Sequence, residues 1–209
     1  MRKGILSIMV FFGFISISMA QNTASDIFTK KEIIWYGFDF SHIKMIGSSG
    51  FSNPEDIVKT FFSAWNNIVF DELQKFNIMK LMKMKNVKYS LAMFKELNSK
   101  VDPKELVIDH EYSLSREQID EIVSKYNPAD QKGIGVSFIM ESFNQNEKKG
   151  YMWVTFFDVS TKTVLLTEKM TGDAGGSAEF RNYWIKSIYN VLLNINTKEM
   201  KVWESQYTK

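Results

Sequence analysis

Cysteine is absent from all 209 residues, histidine occurs only twice, and proline only three times. Without cysteine there can be no disulfide, no thiolate metal site, no thiol nucleophile and no cysteine-linked lipid anchor behind a leader. His42 and His110 lie far apart in the chain, so no cluster has zinc-ligand spacing and no metal is expected. A surplus of one charge is lacking too. The formal net charge of +2 comes from 26 basic and 24 acidic residues, and Arg2 and Lys3 supply the whole excess. Beyond residue 20 the two signs balance, which removes any general electrostatic pull toward nucleic acid or anionic lipid. Long apolar runs are missing after residue 17, where a membrane span would need ~20 apolar residues.

What is present begins at the first residue. Arg2 and Lys3 form a positive head, an apolar run extends over 5–17, and Ser18-Met19-Ala20 closes it with small residues. This is the pattern of a secretory leader cleaved after Ala20, too short and wrongly flanked for a spanning helix. The expected organisation is a leader over 1–20, a flexible polar segment over 21–30, one domain over 31–196, and a frayed polar tail over 197–209. The exported chain is expected in the periplasm or outside a bacterial cell, without a membrane span after processing. An apolar content of 44%, with 17 Phe, 8 Tyr and 5 Trp, is enough for a large core. Aromatics on strands and helix stripes read as core first, and the lining of a sugar- or lipid-binding groove is the second reading.

Along the chain, 31–40 reads as a central strand, with Ile33, Trp35 and Gly37 on one face and Ile34, Tyr36 and Phe38 on the other. Asn53, Pro54, Glu55 and Asp56 signal a helix start. Ile57, Val58, Phe61, Phe62, Trp65, Ile68 and Val69 continue that helix to about residue 73 as an apolar stripe made for a sheet face. In 75–85, lysines alternate with apolar residues; this predicts a solvated helix end before a strand near 87–91, in preference to a membrane-surface helix. A short edge strand is expected over 106–108. Ser115 and Gln118 form a capping box ahead of Ile119, Ile122, Val123 and Tyr126. From Gly133 the pattern turns to β. Ile134, Val136, Phe138 and Met140 alternate, as do Met152, Val154 and Phe156, and a third strand covers about 163–170, giving an antiparallel meander. Ile139, Phe143, Tyr151, Trp153, Phe157 and Leu165 are assigned to its other face. Phe180, Trp184, Ile188, Val191 and Ile195 mark a closing helix over 177–195. The fold expected is α/β: a mixed, largely antiparallel sheet of about five strands with helices packed on its faces.

Three groups of residues invite a chemical reading. Asp39, Ser41 and His42 contain the residue types of a nucleophilic triad, but near neighbours leaving a strand point apart and no nucleophile elbow is present. Asp39 is expected instead to close the strand end by accepting nearby amides. Asp109, His110 and Glu111 read as a solvated loop. Gly172, Asp173, Gly175, Gly176 and Arg181 surround a helix start and form a candidate anion or ligand loop, although they lack the lysine and hydroxyl of a P-loop. Arg181 could alternatively pair with an acid across the fold.

The order of capped helix, Gly-led strand and hairpin leads into Phe157-Asp158-Val159-Ser160-Thr161-Lys162-Thr163-Val164-Leu165, a glycine loop and a last helix. It resembles the small α/β module in the amino-terminal domain of TolB-like periplasmic proteins and in curli-channel-like secretion proteins. Trp35-Tyr36-Gly37-x-Asp39, Met140-Glu141-Ser142-Phe143-Asn144 and Phe180-Arg181-Asn182-Tyr183-Trp184 are similar to a family of uncharacterised secreted bacterial proteins. These resemblances imply a cell-envelope address and supply no activity. With no convergent nucleophile, metal or cofactor set, the expected function is a non-enzymatic binding or assembly module with a cell-envelope protein as partner. A small-molecule or lipid carrier with an aromatic-lined pocket, and a hydrolase, are the alternatives.

Overall fold

In the computed structural model the described residues are 21–208, so the expected leader and its cleavage after Ala20 lie outside them. The sheet has seven strands: β1 (Glu32–Asp39), β2 (Lys44–Ile46), β3 (Asn86–Tyr89), β4 (Val107–Ile108), β5 (Ile134–Asn144), β6 (Lys149–Asp158) and β7 (Thr163–Asp173). The helices are α1 (Ala24–Lys30), α2 (Pro54–Asp56), α3 (Phe62–Asp71), α4 (Ile78–Leu81), α5 (Ala92–Asn98), α6 (Arg116–Ser124), α7 (Phe180–Asn194) and α8 (Met200–Tyr207). Strand β5 is the organising element. One edge pairs antiparallel with β6, which pairs antiparallel with β7. The other edge is shared end to end by β1 and β2, both parallel to it. Outside these lie β3 on β1 and β4 on β2, also parallel.

The meander over 134–173 is therefore as expected, but the largely antiparallel sheet is corrected: four of the six strand pairings are parallel. The reason is connectivity. Helical segments separate β1 from β3 and β2 from β4, and such crossovers return the chain in the same direction.

Apolar side chains cover both faces. The first face carries the larger core, with Trp65, Trp184, Ile188 and Trp203 packed on Trp35, Phe38, Phe138 and Phe143. The second carries Ile34, Tyr36, Ile139 and Phe157 beneath Phe94, Ile119 and Val123 of α5 and α6. The Ser115–Gln118 capping box forms as expected, and Phe76, Ile78, Leu81 and Met82 turn their apolar side chains into the first core.

Two segments depart from expectation. The 21–30 stretch is not loose: α1 buries Ile27 and Phe28, and Asn22 donates through its backbone and side-chain amides to Asp158 Oδ2, at 2.9 and 2.7 Å. The 197–209 tail is helical through Tyr207, continuing α7 by a π turn over Ile195–Glu199, and it buries Met200 and Trp203. In each case two or three apolar residues in a polar stretch meet a core that local composition does not reveal.

Strand alternation is broken at three positions. The pairing shifts between Trp35 and Gly37, where Gly37 has φ +100°, so Phe38 joins Trp35 on the first face and leaves Ile34 and Tyr36. A second shift, at Glu141, moves Phe143 to the first face while Ile139 stays on the second. A third, on β7, turns Leu165 toward the first core. Each extra residue in a bulge exchanges the faces of everything beyond it.

Candidate functional site

Past Tyr89 the strand β3 has ended and β4 has not begun, so the outer edge of β1 over Phe38–Phe40 has no strand beside it. Two buried asparagines take the missing strand's place. Asn66 of α3 accepts from the Phe38 amide at 2.7 Å and donates to the Phe38 carbonyl at 2.9 Å. Asn98 of α5 accepts from the Phe40 amide at 2.7 Å and donates to the same carbonyl at 3.0 Å. Gly37 is required for this approach, since a Cβ there would stand 2.3 Å from Asn66 Oδ1. Backbone groups left unpaired in the interior are costly, so these amides are obligatory to the fold.

Over this gap the two helical walls stand apart and leave a cleft of about 490 Å³. Val58, Phe62, Leu91, Val101 and Pro103 supply its apolar lining, with Asn66 also lining it, and two lysines, Lys59 and Lys95, against one carboxylate, Glu55, are exposed at its walls. Val58 and Lys59 lie on a π turn over Ile57–Phe61 that joins α2 to α3. Such turns widen a helix locally and occur often at functional sites. Neither lysine has a carboxylate within ion-pair distance among the described residues. Asn66 and Asn98 are missed by the sequence reading. The available signal is a polar residue inside an apolar helical stripe, Asn66 between Trp65 and Ile68.

The Asp39 group is a structural lock. Asp39 is fully buried and accepts from the Ser41 amide at 2.9 Å, from Ser41 Oγ at 2.5 Å and from Tyr126 Oη at 2.6 Å. Burial first, then the adjacent Asp39 charge, pushes the Tyr126 phenol well above its ordinary range, so it stays a donor. Ser41 bonds the acid directly with no imidazole between them, and His42 is exposed. This is the strand-closing role expected of Asp39. Asp109, His110 and Glu111 are exposed, and Asp109 accepts from the Ser48 amide at 2.8 Å.

Gly172, Asp173, Gly175, Gly176 and Arg181 do not form a cradle. Gly172 lies within β7, where a Cβ would fall 2.0 Å from the Ser187 carbonyl oxygen, so it serves the approach of α7 to the sheet. The Asp173 carbonyl accepts from Asn190, and the Gly175 amide donates to the Tyr183 carbonyl. Gly175 and Gly176 turn the chain with φ of +116° and +75°. Arg181 points to acids at the end of α3, 3.4 Å from Glu72 and 3.7 Å from Asp71, the cross-fold pairing open to it from sequence. The helix start they flank also carries Glu179, whose carboxylate would repel an anion.

Among the described residues no group of His, Asp and Glu is arranged to hold a metal ion, and no helix is long and apolar enough to cross a membrane. The chain matches no protein-family model, no curated protein and no solved structure.

Proposed function

We propose that this chain is an exported protein of the bacterial cell envelope that binds a small amphipathic molecule without chemical turnover. The ligand's apolar part rests on Val58, Phe62 and Leu91, and its anionic end faces Lys59 and Lys95. The cleft carries this reading. Its volume of about 490 Å³ falls inside the usual range for small-molecule sites, and its lining is mostly apolar with a few polar groups at the walls. The π turn in one wall supports it further. The non-enzymatic part rests on the Asp39–Ser41 lock and on a cleft lined without histidine. The envelope address rests on the leader pattern of residues 1–20 and on the resemblance to TolB-like and secreted bacterial proteins.

The test is calorimetric titration with dodecanoate, with dodecylammonium as the charge control. Binding of dodecanoate that Val58→Trp abolishes and Lys59→Glu/Lys95→Glu weakens is the expected result. Equal binding of both amphiphiles, or binding unchanged by Val58→Trp, would refute it. Intact mass of the exported protein tests the address, with a mature N-terminus expected at Gln21. An assembly role in the envelope is the second reading, favoured by Phe70 and Leu73, which stand 53% and 56% exposed at the end of α3.

A further inference from the structure

The Met140–Asn144 motif is not used by the apolar cleft, and it borders a second one. The bulge at Glu141 lets Glu141, Ser142 and Asn144 line a single cavity of about 410 Å³, while Met140 and Phe143 enter the first core. Regular alternation would have put Ser142 on the face opposite its neighbours at 141 and 143. Bulges of this kind gather beside active and binding sites. The cavity sits at the carboxyl ends of the parallel strands β2 and β5, with Ile46 at the end of β2 and Glu111 beyond the end of β4. Open α/β sheets place their ligands at that end of the strands.

The groups lining this cavity decide what it can hold. Glu141, only 2% exposed, already holds three donors: it accepts from Lys169 Nζ at 2.8 Å, the Leu114 amide at 2.9 Å and the Trp153 indole at 3.1 Å. Lys169 thus places an ammonium in the cavity, also 5.9 Å from the Tyr151 ring centre. A cationic ligand would meet that charge at the position it would otherwise take. Ser142 is 1% exposed and lines the cavity, where its hydroxyl can both donate and accept. Tyr112 is half-buried in the wall with its hydroxyl donating to the His42 carbonyl at 2.9 Å, which leaves that oxygen able to accept. Exposed Glu111, Ser113 and Glu147 stand at the rim, and the Glu147 carboxylate is itself engaged, accepting from the Tyr151 hydroxyl and, at 2.9 Å, from the Asn144 side-chain amide. Donors, acceptors and aromatic rings thus line one shallow cavity that already holds its own cation.

We propose that this cavity, walled by Glu111, Tyr112, Ser142 and Asn144, binds a neutral saccharide unit. Sugar hydroxyls donate to the carboxylate of Glu111, exchange hydrogen bonds with Ser142, and accept from the one Asn144 N–H left free, since its oxygen already accepts from the Asn146 and Glu147 amides and its other N–H is given to Glu147. The apolar face of the ring packs on the tyrosines. This site is on the opposite face of the sheet from the small apolar cleft's helix α3, and it stands whether or not that cleft binds an amphiphile.

The experiment is saturation-transfer NMR and calorimetry on the purified protein with maltotriose and chitotriose, and with spermidine as the cationic control. We expect one of the trisaccharides to bind and spermidine to fail. Ser142→Ala and Glu111→Gln should each weaken the Kd by about tenfold, while Val58→Trp in the other cleft leaves it unchanged. Glu111 is exposed, so its variant tests the site without threatening the fold, and near-ultraviolet circular dichroism checks the Ser142 variant. Absence of trisaccharide binding at about 10 mM, far above the Kd of a useful site, would overturn the proposal. So would binding that survives both substitutions, or binding of spermidine alone.

Discussion

Replacing Gly172 with alanine distinguishes a packing residue from a loop residue. An added Cβ would lie 2.0 Å from the Ser187 carbonyl oxygen, whereas ordinary contact begins at 3.4 Å, so α7 or β7 must give way by about 1.4 Å. The obstacle is main chain and cannot rotate aside. Nor is α7 free to retreat, because Trp184 stacks on Phe143 with ring centres 4.7 Å apart and Ile188 and Val191 are fully buried. Overpacking of this kind costs about 1–3 kcal/mol, and backbone contact argues for the upper end. At ~2–4 °C of Tm per kcal/mol for a chain of this size, a loss of ~3 kcal/mol lowers Tm by roughly 6–12 °C. Gly150→Ala provides the contrast, since its Cβ would meet Ser187 Oγ at 2.4 Å, a side-chain atom that can be removed. Ser187→Ala should therefore relieve Gly150→Ala in part, because the Ser187 Cβ at 2.9 Å remains, with a coupling of at least ~0.5 kcal/mol, and leave Gly172→Ala unrelieved. Urea denaturation followed by tryptophan fluorescence measures the three single variants and the two double mutants. A Gly172→Ala loss below ~1 kcal/mol, or its rescue by Ser187→Ala, would refute the reasoning.

Three further outcomes are expected. Asn66→Leu should cost about 2–4 kcal/mol, because the Phe38 amide loses its only side-chain acceptor and the penalty for a buried unpaired amide adds to overpacking; a near-neutral variant in chemical denaturation would show that water replaces the amide. Trp203→Ala should cost ~3–5 kcal/mol as a large truncation of a side chain 2% exposed, and an unchanged Tm would return 197–209 to a frayed tail. Asp158 should hold the N-terminal segment in a pH-dependent way. Its burial opposes ionisation, but donors from Thr161, Asn22 and Ser160 outweigh it and lower the pKa from the ordinary 3.8. Asp26 is shifted the same way, chiefly by the Thr23 backbone amide. A carboxyl depressed in the folded state contributes stability above its unfolded pKa and loses it as pH falls through the folded value. Hydrogen exchange at Ile27 and Phe28 should therefore accelerate relative to β5 only below about pH 4, and an equal acceleration between pH 7 and 5 would contradict the assignment.

The sequence by itself determined most element types and several of their ends. Asn53-Pro54 and the Ser115–Gln118 box fixed helix starts because capping is satisfied within four residues, and the alternation of 134–140 and 152–156 fixed two strands and the side of each residue. Local pattern could not locate the three bulges at Gly37, Glu141 and Leu165, because a bulge is defined by the partner strand opposite it. Each one exchanged faces for the residues beyond, which is why Phe38, Phe143 and Leu165 lie opposite to where strict alternation puts them. The same limit applied at the termini, where Ile27, Phe28 and Trp203 became core only through contacts with distant segments. It applied most to the two clefts. Asn66 and Asn98 come together over a gap between β3 and β4, and Glu111, Ser142 and Lys169 meet across three separate elements. Strand direction, face and site were tertiary decisions, since each depends on which segments become neighbours after the crossovers close.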